Sequence, residues 1–220
     1  KPITHVLVTH HHPDHHLGLS YFGDVQVIAT DYCAKQIADN GRGYVKWMER
    51  NTGKNLRNTD PVVPQTRIAL GSRQAMEIDG VRLELISTGT AHTDGDMMVW
   101  LPDDGVLASG DILVHHINPS FRDGNLRNWI AVLDEQMLKL PLKTVMPGHG
   151  PLMTSKDATA MHARMAKLYA GVEAGYKAGL TDSEIRKKLD LSEWKKLHHF
   201  EEQMGGNINK AYLEVEAAAF

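Results

Sequence analysis

The chain carries 13 histidines in 220 residues, and His5, His10, His11, His12, His15 and His16 all fall within its first sixteen positions. The run Thr9-His10-His11-His12-Pro13-Asp14-His15-His16 follows directly on an apolar β-pattern at residues 3–9. In an extended chain residues i and i+2 point to one side, so His10 and His12 are set to converge on one ion. Pro13 then turns the chain into a helix, because a proline at the first helical position loses no hydrogen bond. Asp14 and His15 thereby fall in the first turn, facing the same mouth. Imidazole and carboxylate without thiolate suit zinc, manganese or iron. Cys33, the single cysteine, excludes both an internal disulfide and a multi-thiolate site. It reads as a half-buried small residue on a helix.

Three further donors occupy equivalent places later in the chain. His92 lies in Gly89-Thr90-Ala91-His92-Thr93-Asp94-Gly95, Asp111 in Ser109-Gly110-Asp111, and His149 in Pro147-Gly148-His149-Gly150. Each follows a β-pattern, so the three are expected at strand ends, along the rim where open α/β sheets build their sites. The glycines beside them permit tight turns and close backbone approach.

The elements that must position these residues form an alternation of short apolar runs and helix-like segments, the pattern of a layered α/β fold. Strands are predicted at residues 3–9, 25–29, 67–70, 74–78, 81–87, 97–101, 106–109 and 144–146. Asp79-Gly80 is a hairpin signal, and Pro102-Asp103-Asp104-Gly105 marks a second turn. Helices are predicted at 13–21, at 31–39 and 44–50 with a break at Gly41-Arg42-Gly43, and at 128–138, where Trp129, Val132, Leu133 and Met137 share a face. Beyond Pro151 the strand signals stop. Met161, Met165, Leu168 and Val172 define one helix, Thr181-Asp182-Ser183-Glu184 is a capping box that opens a second, and Ile208, Ala211, Tyr212 and Val215 line a third. Trp47, Trp100, Trp129 and Trp194 are expected in cores or under helices.

Composition narrows the class. Apolar residues make up 42% of the chain and charged residues 23%, with 24 Lys and Arg against 27 Asp and Glu and a net charge of −3, so there is no basic field for a nucleic-acid backbone. No run approaches the roughly 18 apolar residues of a membrane-spanning helix. A small-molecule substrate is therefore expected, with neither nucleic acid nor membrane as partner. The C-terminal helices offer a surface for oligomerisation. The chain opens at Lys1 directly into a β-pattern, which predicts that the natural N-terminus lies upstream and leaves the compartment, cytoplasmic or periplasmic, open.

The order His-x-His-x-Asp-His, then a lone His, a lone Asp and a final Gly-His, resembles the signature of the metallo-β-lactamase superfamily of dinuclear metallohydrolases. All seven positions match, over about residues 1–152. The resemblance implies that His10, His12 and His92 hold one metal and that Asp14, His15 and His149 hold another, with Asp111 bridging. It implies two Zn2+, with Mn or Fe as alternatives, and a bridging hydroxide as nucleophile, which Asp14 orients while passing a proton to the leaving group. The implied fold is a four-layer αββα sandwich, here a catalytic domain at 1–152 without the strands that usually precede the histidine motif, followed by a helical extension at 153–220.

Within that superfamily, aspartate at position 111 resembles hydrolases of thioesters, lactones and phosphodiesters, whereas zinc β-lactamases carry cysteine or serine there. The 37 residues between Asp111 and His149 leave no room for the large insert of the nucleic-acid-cleaving members. The segment from Asp111 to Trp129 and the tail near Tyr212 are similar to an exported subgroup associated with sulfur oxidation and quinoprotein systems. His115 and His116 lie in a loop with Asn118, Phe121 and Arg122; His116 is expected as a proton donor beside Asp14, and Arg122 as a steering charge. His11 and His16 alternate away from the metals, and His5, His162, His198 and His199 read as structural or solvated. The expected activity is hydrolysis of an ester, thioester, lactone or lactam-like bond. The alternatives are a mononuclear-iron persulfide dioxygenase of the same fold and a non-catalytic metal-binding module.

Overall fold

The computed structural model describes residues 2–219. It is an α/β structure with two sheets. The strands are β1 (His5–Leu7), β2 (Gln26–Thr30), β3 (Thr66–Ile68), β4 (Arg73–Ile78), β5 (Val81–Gly89), β6 (Asp96–Leu101), β7 (Val106–Val114) and β8 (Thr144–His149). The helices are α1 (Pro13–His16), α2 (Asp31–Thr52), α3 (Leu126–Val132), α4 (Ser155–Lys177), α5 (Asp182–Lys188) and α6 (Phe200–Ala217). One sheet has the order β1-β2-β3 and the other β4-β5-β6-β7-β8. No helix among the described residues is long and apolar enough to cross a membrane.

The chain divides into two compact units, Lys1–Gly89 with Gly95–Val99, and Thr90–Asp94 with Trp100–Phe220. In the first, β1, β2 and β3 pair in parallel. Parallel strands are covered on both faces, which is why Val27, Ile28 and Ala29 run on without polar alternation and are all buried. Val8, Leu19, Val27, Ala29, Cys33 and Ile37 make one core. β4 and β5 pair antiparallel, with Ile78 opposite Val81. Asp79 and Gly80 between them both take positive φ, 52° and 81°, the mirror-image turn whose twist matches a two-residue hairpin.

In the second unit α4 packs against α3, α5 and α6. Capping boxes start α4 (Thr154 with Asp157) and α5 (Thr181 with Glu184). Met161, Met165, Leu168 and Val172 are buried on α4, as their spacing predicts. Trp100, Trp129 and Trp194 are buried too, whereas Trp47 is 42% exposed, because it lies on the outer side of α2 rather than under it.

Several elements differ from the sequence reading. β1 is shorter than residues 3–9, and beyond Val8, whose N–H still donates to Ile28 O, the chain continues as irregular backbone. Residues 128–138 split into α3 followed by a π-helical turn, Leu133–Met137, with Trp129, Val132, Leu133 and Met137 all buried as expected. The expected break at Gly41-Arg42-Gly43 does not occur, since α2 runs unbroken for 22 residues to Gly53, which closes it in the left-handed conformation at φ 68°. The two interior glycines have different causes. A β-carbon at Gly41 would sit 2.5 Å from Cβ of Pro61, so that position needs its bare backbone for packing, while the space around Gly43 is open.

Cys33 is fully buried rather than half-buried, and burial, reinforced by Asp96, pushes its thiol up to about 12. Thiol reagents at pH 8 are expected to label the native chain at least about 100-fold more slowly than the urea-unfolded chain, since only the thiolate reacts. Glycine costs about 0.5–1 kcal/mol in a helix interior relative to alanine. Gly43→Ala is therefore expected to raise the urea midpoint and Gly41→Ala to lower it.

Candidate metal centre

In the first unit, the backbone delivers the histidine run at a fixed point. Val8 N–H donates to Ile28 O at 2.9 Å, and Met97 N–H donates to Thr9 O at 2.8 Å, which pins the residue before His10. His12 is the extended residue before α1, Pro13 opens the helix, and His15 N–H donates to His12 O at 3.0 Å. The turn brings donors together in pairs. His10 Nε2 lies 3.2 Å from His12 Nδ1, and Asp14 Oδ2 lies 3.2 Å from His15 Nε2. His10 is buried, while the Asp14 side chain is 45% exposed.

In the second unit, Asp111 is the centre. Its Oδ2 lies 3.5 Å from His92 Nε2 and 3.4 Å from His149 Nε2. The sequence reading places Asp111 and His149 just past strand ends; both lie within strands. β7 continues to Val114 because its parallel register against β8 slips twice, between Ala108 and Gly110 and between Gly110 and Val114. Gly110 supplies the non-extended residue, at φ 52°. Bulges of this kind re-aim side chains. Pro147, which has no N–H to give a ladder, sits opposite Gly110 at that irregularity. Gly148 leaves room for the carboxylate, since a β-carbon there would fall 1.9 Å from Asp111 Oδ1.

His92 is buried and sits in a loop braced from behind. The indole of Trp129 meets the imidazole edge-to-face at 5.2 Å and donates to Ile112 O at 3.0 Å. Asn125 N–H donates to Ala91 O at 2.9 Å. Gly124 comes so close that a β-carbon would lie 2.0 Å from Ala91 O and 2.7 Å from His92 O. None of these bracing roles was visible in the sequence reading, where Trp129 appears only as one of an apolar helix face. The glycine of Asp123-Gly124-Asn125 was its single local sign.

The donor set fits metal ions. A tetrahedral ion with bonds of about 2.0–2.1 Å to imidazole and carboxylate places neighbouring donors about 3.3 Å apart, and the four pairs above stand at 3.2 to 3.5 Å. Among the described residues, the His and Asp side chains grouped so that they could hold metal ions are His10, His12, Asp14, His15, His92, Asp111 and His149.

The other histidines are placed differently. His11 and His16 are both buried and lie against Tyr44, His16 edge-to-face and His11 at a tilt, with His11 also edge-to-face with Tyr32. Burial, with His11 adding to it, pushes His16 down to about 4, so it stays neutral. Neither ring nitrogen of His16 has a hydrogen-bond partner among the described residues. His116 is exposed, takes the left-handed conformation at φ 61°, and stacks on His115 at 4.1 Å. His115 Nδ1 lies 3.1 Å from Pro151 O. Arg122 forks onto Asp123 at 2.8 and 3.0 Å, which compensates much of the charge expected to steer a substrate. His198 and His199 are exposed.

The sequence model of the metallo-beta-lactamase superfamily matches residues 1–149. Among curated proteins, the chain is similar to the 2,4-dinitroanisole O-demethylase subunit alpha of Nocardioides sp. (strain JS1661), 28% identical over 155 residues that cover 68% of this chain and 41% of that one. It is 30% identical to the Metallo-beta-lactamase type 2 of Bacteroides fragilis over 79 residues, 34% of this chain and 32% of that one. It is 25% identical to the probable metallo-hydrolase YqjP of Bacillus subtilis (strain 168) over 182 residues, 71% and 57%. The chain thus spans less than two thirds of the length of each. Among solved structures, the inverting sec-alkylsulfatase Pisa1 from Pseudomonas sp. aligns at TM-score 0.70 and 17% identity, over 96% of this chain and 41% of that one. A metallo-beta-lactamase family protein from Thermus thermophilus aligns at 0.65 and 21%, over 98% and 75%. These matches support the superfamily as a whole rather than its exported subgroup.

Gly148→Ala is expected to push the Asp111 carboxylate aside and to weaken divalent-ion binding at this cluster by about tenfold or more, the scale of losses when the support of a donor is disturbed. Isothermal titration against the unaltered chain measures it, and circular dichroism checks that the sheet remains.

Proposed function

The chain belongs to the metallo-β-lactamase superfamily, and from that premise we propose that it is a metal-dependent hydrolase. In this reading His10, His12 and His92 would hold one divalent ion and Asp14, His15 and His149 a second, with Asp111 available to both. The catalytic domain is residues 1–152 and the helical extension residues 153–220. The observation that carries the reading is the position of one oxygen, Asp111 Oδ2, 3.5 Å from His92 Nε2 and 3.4 Å from His149 Nε2. A single carboxylate oxygen set between histidines of the two sets is what a bridging ligand requires. Seven imidazole and carboxylate donors without thiolate favour zinc, with manganese and iron as the other metals that suit such donors.

Divalent ions bound there would acidify water and polarise the bond to be cleaved. The protein's own residues supply orientation and proton traffic. Asp14, half open to solvent and 3.2 Å from His15 Nε2, is placed to take the proton released from the attacking water. It then returns that proton to the departing heteroatom as the bond to the leaving group breaks. His116 is proposed as a second proton donor, its exposed ring held in place by the stack on His115. The substrate is a small molecule with an ester, thioester, lactone or lactam-like bond. The activities named for similar proteins, an O-demethylase subunit, a sulfatase and a β-lactamase, differ from one another; the aspartate at position 111 favours thioesters and lactones over lactams.

The test combines metal counting with turnover. Mass spectrometry of untagged chain is expected to give about two divalent ions per chain, and turnover on a panel of esters, thioesters and lactones is expected to vanish in His92→Ala and Asp111→Ala. Asp14→Asn is expected to lower kcat by about 10²–10⁴-fold, the scale of a lost acid–base group. A single iron with oxygen uptake on persulfides, or full turnover in His92→Ala, would overturn the reading.

A further inference from the structure

We propose that the C-terminal helix α6 is a positioning element of the metal centre, acting through Asn207 and Glu214 on the segment that braces His92 and Asp111. The inference rests on the reading of His92 and Asp111 as metal ligands. Asn207 and Glu214 are seven residues apart, two turns of an α-helix, and so look out from one face. Each grips backbone, and Asn207 Nδ2 also donates to Asn118 Oδ1 at 3.4 Å. Phe121 N–H donates to Asn207 Oδ1 at 3.0 Å, and Asn207 Nδ2 donates to Pro119 O at 2.7 Å. Leu126 N–H donates to both Glu214 oxygens, at 3.0 and 2.9 Å, and Arg127 N–H donates to Glu214 Oε2 at 3.3 Å.

These bonds locate α3 more than they form it. The helix already has a local cap, Asn128 N–H to Asn125 Oδ1 at 2.9 Å. A second, anionic cap from a residue 88 positions away adds little to helix formation, but it fixes where the N-terminus of α3 stands. Negative charge at a helix N-terminus also opposes the partial positive charge of the free N–H groups. The segment so held is the one that touches the ligands. Gly124 and Asn125 pack on the backbone of Ala91 and His92, and Trp129 joins the His92 ring to the carbonyl of Ile112, the neighbour of Asp111. Asn207 is a buried amide on a face otherwise anchored by Met204, Ile208, Ala211 and Val215. Burial of an amide is costly unless its bonds are made, and here they are made to this segment.

The experiment uses the full chain and Co2+ alone as the probe, in competition with a chromophoric chelator, together with amide hydrogen exchange of residues 90–94 in the metal-free protein. Glu214→Ala and Asn207→Ala are expected to weaken Co2+ binding by about 10–100-fold, the range for lost support of a metal ligand, to alter the visible Co2+ spectrum and to speed exchange at 90–94. Glu214→Gln, which keeps an acceptor oxygen, is expected to recover Co2+ affinity to within about threefold of the unaltered chain. Met204→Ala is the control for general weakening of α6, expected to lower the melting midpoint while leaving Co2+ affinity and exchange at 90–94 in place. Unchanged affinity and exchange in Glu214→Ala, or equal losses in Met204→Ala, would overturn the proposal. Equal Co2+ binding by His92→Ala and the unaltered chain would instead overturn the ligand reading, and exchange at 90–94 would still decide whether α6 braces the loop.

Discussion

A carboxylate only 9% exposed, Asp111, is the constraint on which the second unit is built. A buried anion is tolerated when cations or hydrogen-bond donors surround it, and otherwise its burial costs several kcal/mol. Here the compensation comes from outside regular sheet geometry. The strand slips its register at Gly110 to aim the side chain, Gly148 gives up its own side chain to make room, and His92 and His149 bring nitrogen to the same oxygen. Each of these features weakens a strand in isolation. Their joint presence brings two donor atoms, His92 Nε2 and His149 Nε2, within 3.5 Å of Asp111 Oδ2.

The histidine run works on a different principle. Its donors come from adjacent residues, so their convergence follows from local backbone alone, an extended pair followed by the first turn of a proline-started helix. That is why His10, His12, Asp14 and His15 were legible from spacing, and why the eight strands were found where apolar runs and turn residues agree. The same logic explains what was not legible. The break expected in α2 came from weighing Gly41 and Gly43 by helix propensity, but Gly41 answers to Pro61, a contact twenty positions away that no local pattern reveals. The extension of β7 past Ser109 was hidden because a bulge looks like a strand end in sequence.

The brace behind His92 lies further still from local signals. Trp129 reads as core from its spacing, and it is core; that its indole also joins His92 to the strand beside Asp111 is a property of where α3 stands. Asn207 and Glu214 carry no motif at all. Polar residues on an otherwise apolar helix face were the available sign, and such residues are read in sequence as the edge of the face. Similarity to solved structures at 17 to 21% identity fixes the fold without fixing such contacts, because fold is retained while the side chains that tune a site diverge.

The separation of 88 residues between Leu126 and Glu214 also sets an order in time. Closing a chain segment of that length costs more entropy than closing a turn, and distant contacts tend to form after local ones. On a ribosome the loop bearing His92 and the strand bearing Asp111 emerge long before α6 does. His92 and Asp111 are therefore synthesised well before the residue whose carboxylate holds the start of α3, and the contacts of this unit are completed only when nearly the whole chain has been made.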